Sequence, residues 1–218
     1  MQNVIDLPDA VVRISGDIIA TGVSYDDFLH NYEGQHVEWV NGVVIRMASI
    51  DERHDALVAF LRTLFSAYLE QTGGGRVVGD PMIMRLVSVP SSRAPDLQVL
   101  LPERLPQLKR NEVVGPANLV VEIVSPGSQR QDRVDKYREY ELGGVPEYWL
   151  IDPAKHEVLF FHLTDMGIYE MGAPDATGHY RAYVLKRLWL PVDILWREQL
   201  PGIAETLRLV EAMLQAAS

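Results

Sequence analysis

The sequence predicts an α/β fold, with a mixed central sheet flanked by helices. Three observations carry this. Residues 51–71 place Leu57, Phe60, Leu61, Leu64, Phe65 and Tyr68 at three- and four-residue steps, the spacing of one apolar helical face. Residues 118–124 form an almost unbroken apolar run, the mark of a central strand buried on both faces. Around these lies the order helix, three or four strands, helix, strand, which suits a sheet with helices on its faces.

The elements follow in order. Residues 1–23 mix short β-like runs with Pro and Gly and read as an N-terminal arm. Residues 24–33 suit a short helix, capped by Ser24 with Asp27 three residues on. Residues 37–40 and 43–47 flank Asn41-Gly42, a hairpin signal because both turn positions need positive φ. The long helix at 51–71 stops at Gly73-Gly74-Gly75, where glycine accepts the left-handed cap. Strands are expected at 76–78 and 82–87, a polar loop at 90–93, a strand at 96–101 and a loop over 102–116. A helix at 129–142 ends at Gly143-Gly144, and a strand follows at 147–151 with Trp149 in the core. Further strands are expected at 157–162, 167–171 and 180–185, then an amphipathic helix at 203–214 built on Ile203, Leu207, Val210 and Leu214. No repeat or low-complexity linker interrupts the chain. It divides into the arm 1–23, one domain over 24–200 and a C-terminal helix at 201–218.

Composition narrows the function classes. The chain has 218 residues and 47% hydrophobic content, enough for a sizeable core and against global disorder. No apolar run reaches the length of a membrane span, and the N-terminus lacks a signal-peptide pattern. There is no cysteine, which excludes disulfides and thiolate zinc sites and points to a reducing, cytoplasmic location. The net charge of −10 argues against a passive nucleic-acid coat, whose affinity comes from neutralising phosphates. It counts less against an enzyme whose carboxylates gather a cation that then meets phosphate. The histidines show no metal-ligand spacing. Gly73-Gly74-Gly75 follows a helix and so is no phosphate loop.

Glu122 is the most informative residue. A carboxylate inside a central strand is costly unless paired, hydrogen-bonded or metal-bound. Asp96, after Pro95, heads a strand expected to lie beside it. Two such carboxylates suit Mg²⁺ (or Mn²⁺), which keeps waters and meets phosphate. Lys136 on the following helix could orient water or stabilise developing charge. Each has an alternative. Asp96 could cap a turn. Glu122 could pair with Arg93. Lys136 could form a solvated i,i+4 pair with Asp132. Strand alternation would turn Glu38 to solvent, His54 would be a surface or packing histidine, and Tyr137 and Tyr140 would pack in the core.

Pro95-Asp96 followed by Glu122 on the next strand resembles the PD-(D/E)xK nuclease superfamily, whose helix–three strands–helix–strand core matches residues 52–152. The superfamily's usual lysine position is Val124 here. Within it, residues 120–126 (Val-Val-Glu-Ile-Val-Ser-Pro), Asp132 with Lys136, and residues 144–152 (Gly-Val-Pro-Glu-Tyr-Trp-Leu-Ile-Asp) resemble the bacterial Uma group of restriction-endonuclease-like proteins. The likeness covers roughly residues 24–190. It implies a restriction-endonuclease-like core with an N-terminal hairpin and C-terminal β and helical additions. It implies a lysine displaced onto the helix, Lys136, with Glu38 assisting and His54 and Asp132 supporting. Asp96 and Glu122 would hold the metal. The expected activity is a Mg²⁺-dependent endonuclease acting on DNA, with Arg93, Arg130 and Arg133 as phosphate contacts and a homodimer cutting both strands. The rival readings are a silent nuclease fold serving as a binding or assembly module, and a metal-dependent hydrolase of another substrate.

Overall fold

The computed structural model describes residues 3–5, 14–125 and 127–215. Part of the predicted arm, Pro126 of the Ser-Pro motif and the last three residues of the predicted C-terminal helix lie outside the described residues. The chain opens with β1 (Asn3–Ile5) and β2 (Ile14–Ala20). In α1 (Tyr25–Asn31), Ser24 Oγ accepts from the Asp27 N–H at 3.1 Å, the cap the sequence predicts. Then β3 (Val37–Val40) turns into β4 (Val43–Arg46) through Asn41 and Gly42, whose φ values are +45° and +84°. The helix α2 (Glu52–Thr72) starts where Asp51 accepts from the His54 N–H at 2.9 Å and stops at Gly73, φ +116°.

The strands β5 (Arg76–Val78), β6 (Ile83–Leu86), β7 (Ser91–Arg93), β8 (Leu97–Leu100), β9 (Glu112–Val114) and β10 (Leu119–Ile123) follow. A π-helical turn (Gln131–Lys136) runs into α3 (Tyr137–Gly143). The chain continues through β11 (Glu147–Asp152), β12 (Glu157–Leu163), β13 (Tyr169–Gly172), β14 (His179–Arg181) and β15 (Trp189–Pro191) to α4 (Ile203–Gln215).

Four expectations need correction. Residues 90–93 are not a loop: β7 pairs with both β3 and β6. Its Ser-Ser-Arg sequence reads as loop because its polar side chains belong to a buried network described below. The segment 102–116 contains β9, which pairs parallel to β6. The predicted strand at 180–185 begins earlier and pairs with β15, which was not expected. The buried face of α4 is Thr206, Val210 and Met213, whereas Ile203 is 70% and Leu207 40% exposed.

Two large sheets result. One has the order β1-β2-β4-β3-β7-β6-β9; the other is β13-β12-β11-β10-β8-β5. In the second, β10 and β11 run parallel, joined through α3, and the remaining pairs are antiparallel. β10 is buried along its whole length. Its side chains alternate between two cores. Leu119, Val121 and Ile123 join the core with α2 and α4. Val120 and Val124 join the core with Tyr140, Tyr148 and residues of the first sheet, including Ile45 and Met84. Glu122 shares that second face. Among the described residues, no helix is long and apolar enough to cross a membrane.

Trp149 is in the core as predicted, and its Nε1 donates to Glu147 Oε1 at 2.8 Å. The same carboxylate accepts from Tyr180 Oη at 2.9 Å and the Val184 N–H at 2.9 Å. Burial pushes its pKa up, and these hydrogen bonds only partly pull it back. A carboxyl pKa raised on folding means the native state binds the proton more tightly than the unfolded chain. That contribution is therefore full below the ordinary glutamate pKa and is lost as pH rises towards the elevated one. Urea denaturation across this pH window should show the decline, and Glu147→Gln should flatten its share of it.

Candidate active site

Strand register brings the two predicted metal carboxylates together. Gln98 lies opposite Val120 and Leu97 opposite Val121; one further step puts Asp96 opposite Glu122. Both therefore face the same side of the sheet. Asp96 Oδ2 accepts from the Ile123 N–H at 2.6 Å and lies 3.2 Å from His54 Nε2. Asp96 does cap backbone, as its alternative reading held, but it does so at the wall of a cavity of about 350 Å³. Glu38, His54, Asp96, Glu122, Asp132 and Lys136 all line this cavity.

Lys136 reaches the carboxylates because the helix carrying it is underwound. Gln131 and Asp132, Asp135 and Lys136, and Glu139 and Tyr140 are buried in pairs four residues apart. An α-helix of 3.6 residues per turn drifts by about 40° at each four-residue step, which would fan the three pairs around the axis. The π turn over Gln131–Lys136 holds them in line. Lys136 Nζ donates to Glu122 Oε2 at 2.9 Å, lies 3.2 Å from Asp132 Oδ1 and 3.4 Å from Glu38 Oε1. The Asp132–Lys136 pair thus exists but is buried rather than solvated. Tyr140 Oη donates to Glu122 Oε1 at 2.5 Å, so Tyr140 does more than pack.

Glu38 is 1% exposed, against the solvent-facing reading, because β3 is interior to its sheet and this side chain points beneath the π turn. It accepts from Arg93 Nη1 at 2.9 Å, Gln131 Nε2 at 2.9 Å and the Ala94 N–H at 3.2 Å. Arg93 does not pair with Glu122. Its Nε donates to Glu139 Oε2 at 2.7 Å, and its Nη2 donates to Glu139 Oε1.

None of the three predicted phosphate-contacting arginines lines the cavity. Arg93 is wholly enclosed and its guanidinium is committed to two glutamates. Arg133 lies off the helix's buried face and holds Asp152 and Glu157, each at 2.6 Å. Arg130 is exposed outside the cavity. These assignments rested on closeness along the chain; the helix turns Arg130 and Arg133 away, and β7 buries Arg93 against two glutamates.

The charges explain how the titrating groups behave. Burial pushes Glu38 up, but the Lys136 and Arg93 charges outweigh it and hold the carboxyl below its ordinary range. Burial pushes Glu122 well above that range; Lys136 pulls it back, while Asp132, Asp96 and Glu38 push it further. Asp132 is also raised by burial despite Lys136 and Ser128. Burial would lower Lys136, but Glu122, Glu38 and Asp132 hold its pKa well above normal. For His54 the Asp96 contact outweighs burial and raises the pKa. The lysine stays charged, and its single charge does not neutralise the carboxylates around it.

The family model described as "Uma2: Putative restriction endonuclease" matches residues 24–191. The chain belongs to the Uma2 family. A curated protein of Synechocystis sp. (strain ATCC 27184 / PCC 6803 / Kazusa), "Uncharacterized protein slr1290", is 26% identical over 132 residues, 60% of this chain and 67% of that protein. A crystal structure described as "a putative nuclease belonging to DUF820 from Anabaena variabilis ATCC 29413" superposes with a TM-score of 0.61 at 18% identity, covering 86% of this chain and 99% of that one. It shares the fold, and Uma2 membership supports a nuclease function.

Would a metal fit this Uma2 site? Among the described residues, no three histidine, aspartate or glutamate side chains form a ready-made cage for an ion. Mg²⁺ does not require one, since it is commonly held by one or two carboxylates and retains water. The oxygen donors of Asp96 and Glu122, with Glu122, Asp132 and Glu38 gathered around the single Lys136 ammonium, fit that ion. Sequence reasoning missed Gln131 and Glu139, which anchor Glu38 and Arg93. It also missed Arg62, which lines the cavity from α2. Gln131, Asp135 and Glu139 repeat every four residues, as Asp132, Lys136 and Tyr140 do, a pattern visible in the sequence once a π turn is considered.

Proposed function

We propose that this Uma2 protein is a Mg²⁺-dependent endonuclease that hydrolyses phosphodiester bonds in DNA. The observation supporting it is the meeting of Asp96, Glu122 and Lys136 at one open cavity. Asp96 and Glu122 would hold the ion, which when bound acidifies a water and draws charge from the phosphate. The chain's own residues prepare this. Asp96 Oδ2 is engaged by the Ile123 N–H and His54, leaving Oδ1 for an ion. Lys136 and Tyr140 each donate to one oxygen of Glu122 and so fix its plane. Lys136, held fully charged, stabilises negative charge developing on the phosphoryl oxygens. Glu38, locked by Arg93 and Gln131, positions the ammonium. Cutting both strands of a duplex needs two such cavities, hence a homodimer; a single strand needs one.

Calorimetric titration with Mn²⁺ tests the site. Binding should be seen in the wild type and be lost in both Asp96→Asn and Glu122→Gln, and Mn²⁺-supported cleavage of supercoiled plasmid or single-stranded DNA should vanish with it. Heat retained in both variants would refute the ligand assignment. Metal binding without cleavage of either DNA would favour the silent binding module.

A further inference from the structure

A second cavity, of about 460 Å³, adjoins the first and shares Arg62 and Asp80 with it. We infer that it is a subsite for one unpaired nucleotide next to the scissile phosphate, and that Arg62 holds a phosphate at the junction. This rests on the nuclease reading and names its substrate class: single-stranded or locally unpaired DNA.

Arg62 is the first support. It lies on α2 two turns beyond His54, on the edge that faces the first cavity. Gly79 explains its position. A Cβ there would come 2.1 Å from the Asp96 carbonyl oxygen and 2.8 Å from Arg62 Nη2. The guanidinium therefore lies over bare backbone beside Asp96, where any larger residue would displace it. Asp80 is turned to His36, at 2.9 Å. Among the described residues, Arg62 forms no ion pair within 4.0 Å. An unpaired guanidinium in a cavity otherwise rich in carboxylates is suited to an arriving anion, and its fork matches phosphate oxygens.

The cavity itself is the second support. Its volume lies in the range that takes small organic groups. Phe28, Val37 and Ile83 give it apolar lining, and Tyr32, Gly79 and Asp80 line it too. Tyr32 is partly exposed and stacks on Phe28 with centroids 5.9 Å apart, which steadies the ring as a platform. Aromatic platforms next to cationic groups bind the bases of single strands without much sequence preference. A base stacked and paired in a duplex cannot enter such a recess without leaving its stack. Arg110, exposed, also lines this cavity and supplies a second cation, beside the carboxylates of Glu33 and Asp80.

The test is equilibrium binding without divalent metal, so that cleavage plays no part. Fluorescence anisotropy of a labelled oligothymidylate is compared with a blunt duplex of equal length, at low salt in EDTA. The single strand should bind about tenfold or more tightly than the duplex, and Arg62→Gln and Tyr32→Leu should each weaken it about tenfold, while Arg62→Lys retains part of the affinity. Circular dichroism and urea denaturation establish that the variants are folded; Arg62→Gln, at a half-buried unpaired position, keeps the test decisive if Tyr32→Leu unfolds. Equal or tighter duplex binding, no binding of either form, or single-strand affinity unchanged in Arg62→Gln would overturn the subsite. Binding that follows the expected pattern with no Mn²⁺-dependent cleavage would leave the subsite standing and remove the nuclease reading.

Discussion

Arg93→Met lowers the unfolding free energy by about 3–5 kcal/mol, the usual penalty for stranding a buried charge by deleting its partner. Arg93 is 0% exposed and holds Glu38 on one side and Glu139 on the other. Burial lowers its pKa, but the two carboxylates more than offset this and hold it well above normal. Removing the guanidinium leaves Glu139 enclosed without its cation and Glu38 with Lys136 alone, along with Ser91, whose hydroxyl also donates to Glu139. Methionine keeps the volume, so a cavity does not explain the loss. The measurement is a urea denaturation midpoint at constant m. A second variant separates charge from packing: Arg93→Met with Glu139→Met should recover a large part of the loss, because paired removal of buried charges is often nearly neutral. A loss below about 1 kcal/mol in the single variant would mean the network is solvated.

Lys136→Met removes about 3 kcal/mol of stability, the low end of the same range, because the cavity beside it admits water to the exposed carboxylates. Three carboxylates lose their shared ammonium: Glu122, Asp132 and Glu38. The distinguishing result is metal dependence. An ion that binds only the folded state raises stability by mass action. With the ammonium gone, the same oxygens attract a divalent cation more strongly, so Mg²⁺ should raise the denaturation midpoint further in Lys136→Met than in the wild type. Cleavage should fall by about 10²–10³ even at saturating metal, since loss of one preorganised charge-stabilising donor has that size of effect. Stability loss with no added response to Mg²⁺ would make Lys136 a structural counter-ion only.

The helices and hairpin were legible because their signals are local. Ser24, Asn41-Gly42 and Gly73 each act within a few residues, and each acts as predicted; Asp51, read as the first helical residue, is the residue that caps the helix. The strand β7 was missed for the opposite reason. Ser91 and Arg93 look like loop residues until Glu139, 46 residues beyond Arg93, is placed beside them. Local chemistry gave the polar residues no reason to be inside; long-range pairing did. The same holds for α4, whose apolar positions fit more than one helical face. The face actually buried is set by contact with α2 in the shared core, a long-range term that periodicity does not contain.

The candidate site divides along the same line. Glu122 stood out because a carboxylate in an all-apolar strand demands compensation, and Asp96 because strand order made it a neighbour. The arginines stood out only by proximity in sequence, and geometry rejected all three as cavity-lining residues. Arg62 lay in plain view on the amphipathic helix, yet nothing in its surroundings along the chain marked it.

By itself, then, the amino-acid order determined the types and limits of most elements, the central strand and the acidic residues that strand must compensate. These follow from caps, turn chemistry and apolar periodicity, all of short range. Only the three-dimensional packing decided which cation meets which carboxylate, and that a π turn rather than a regular helix delivers Lys136. Those choices depend on angles and depths between segments distant along the chain, where one residue of helical rotation separates a solvated side chain from a buried one.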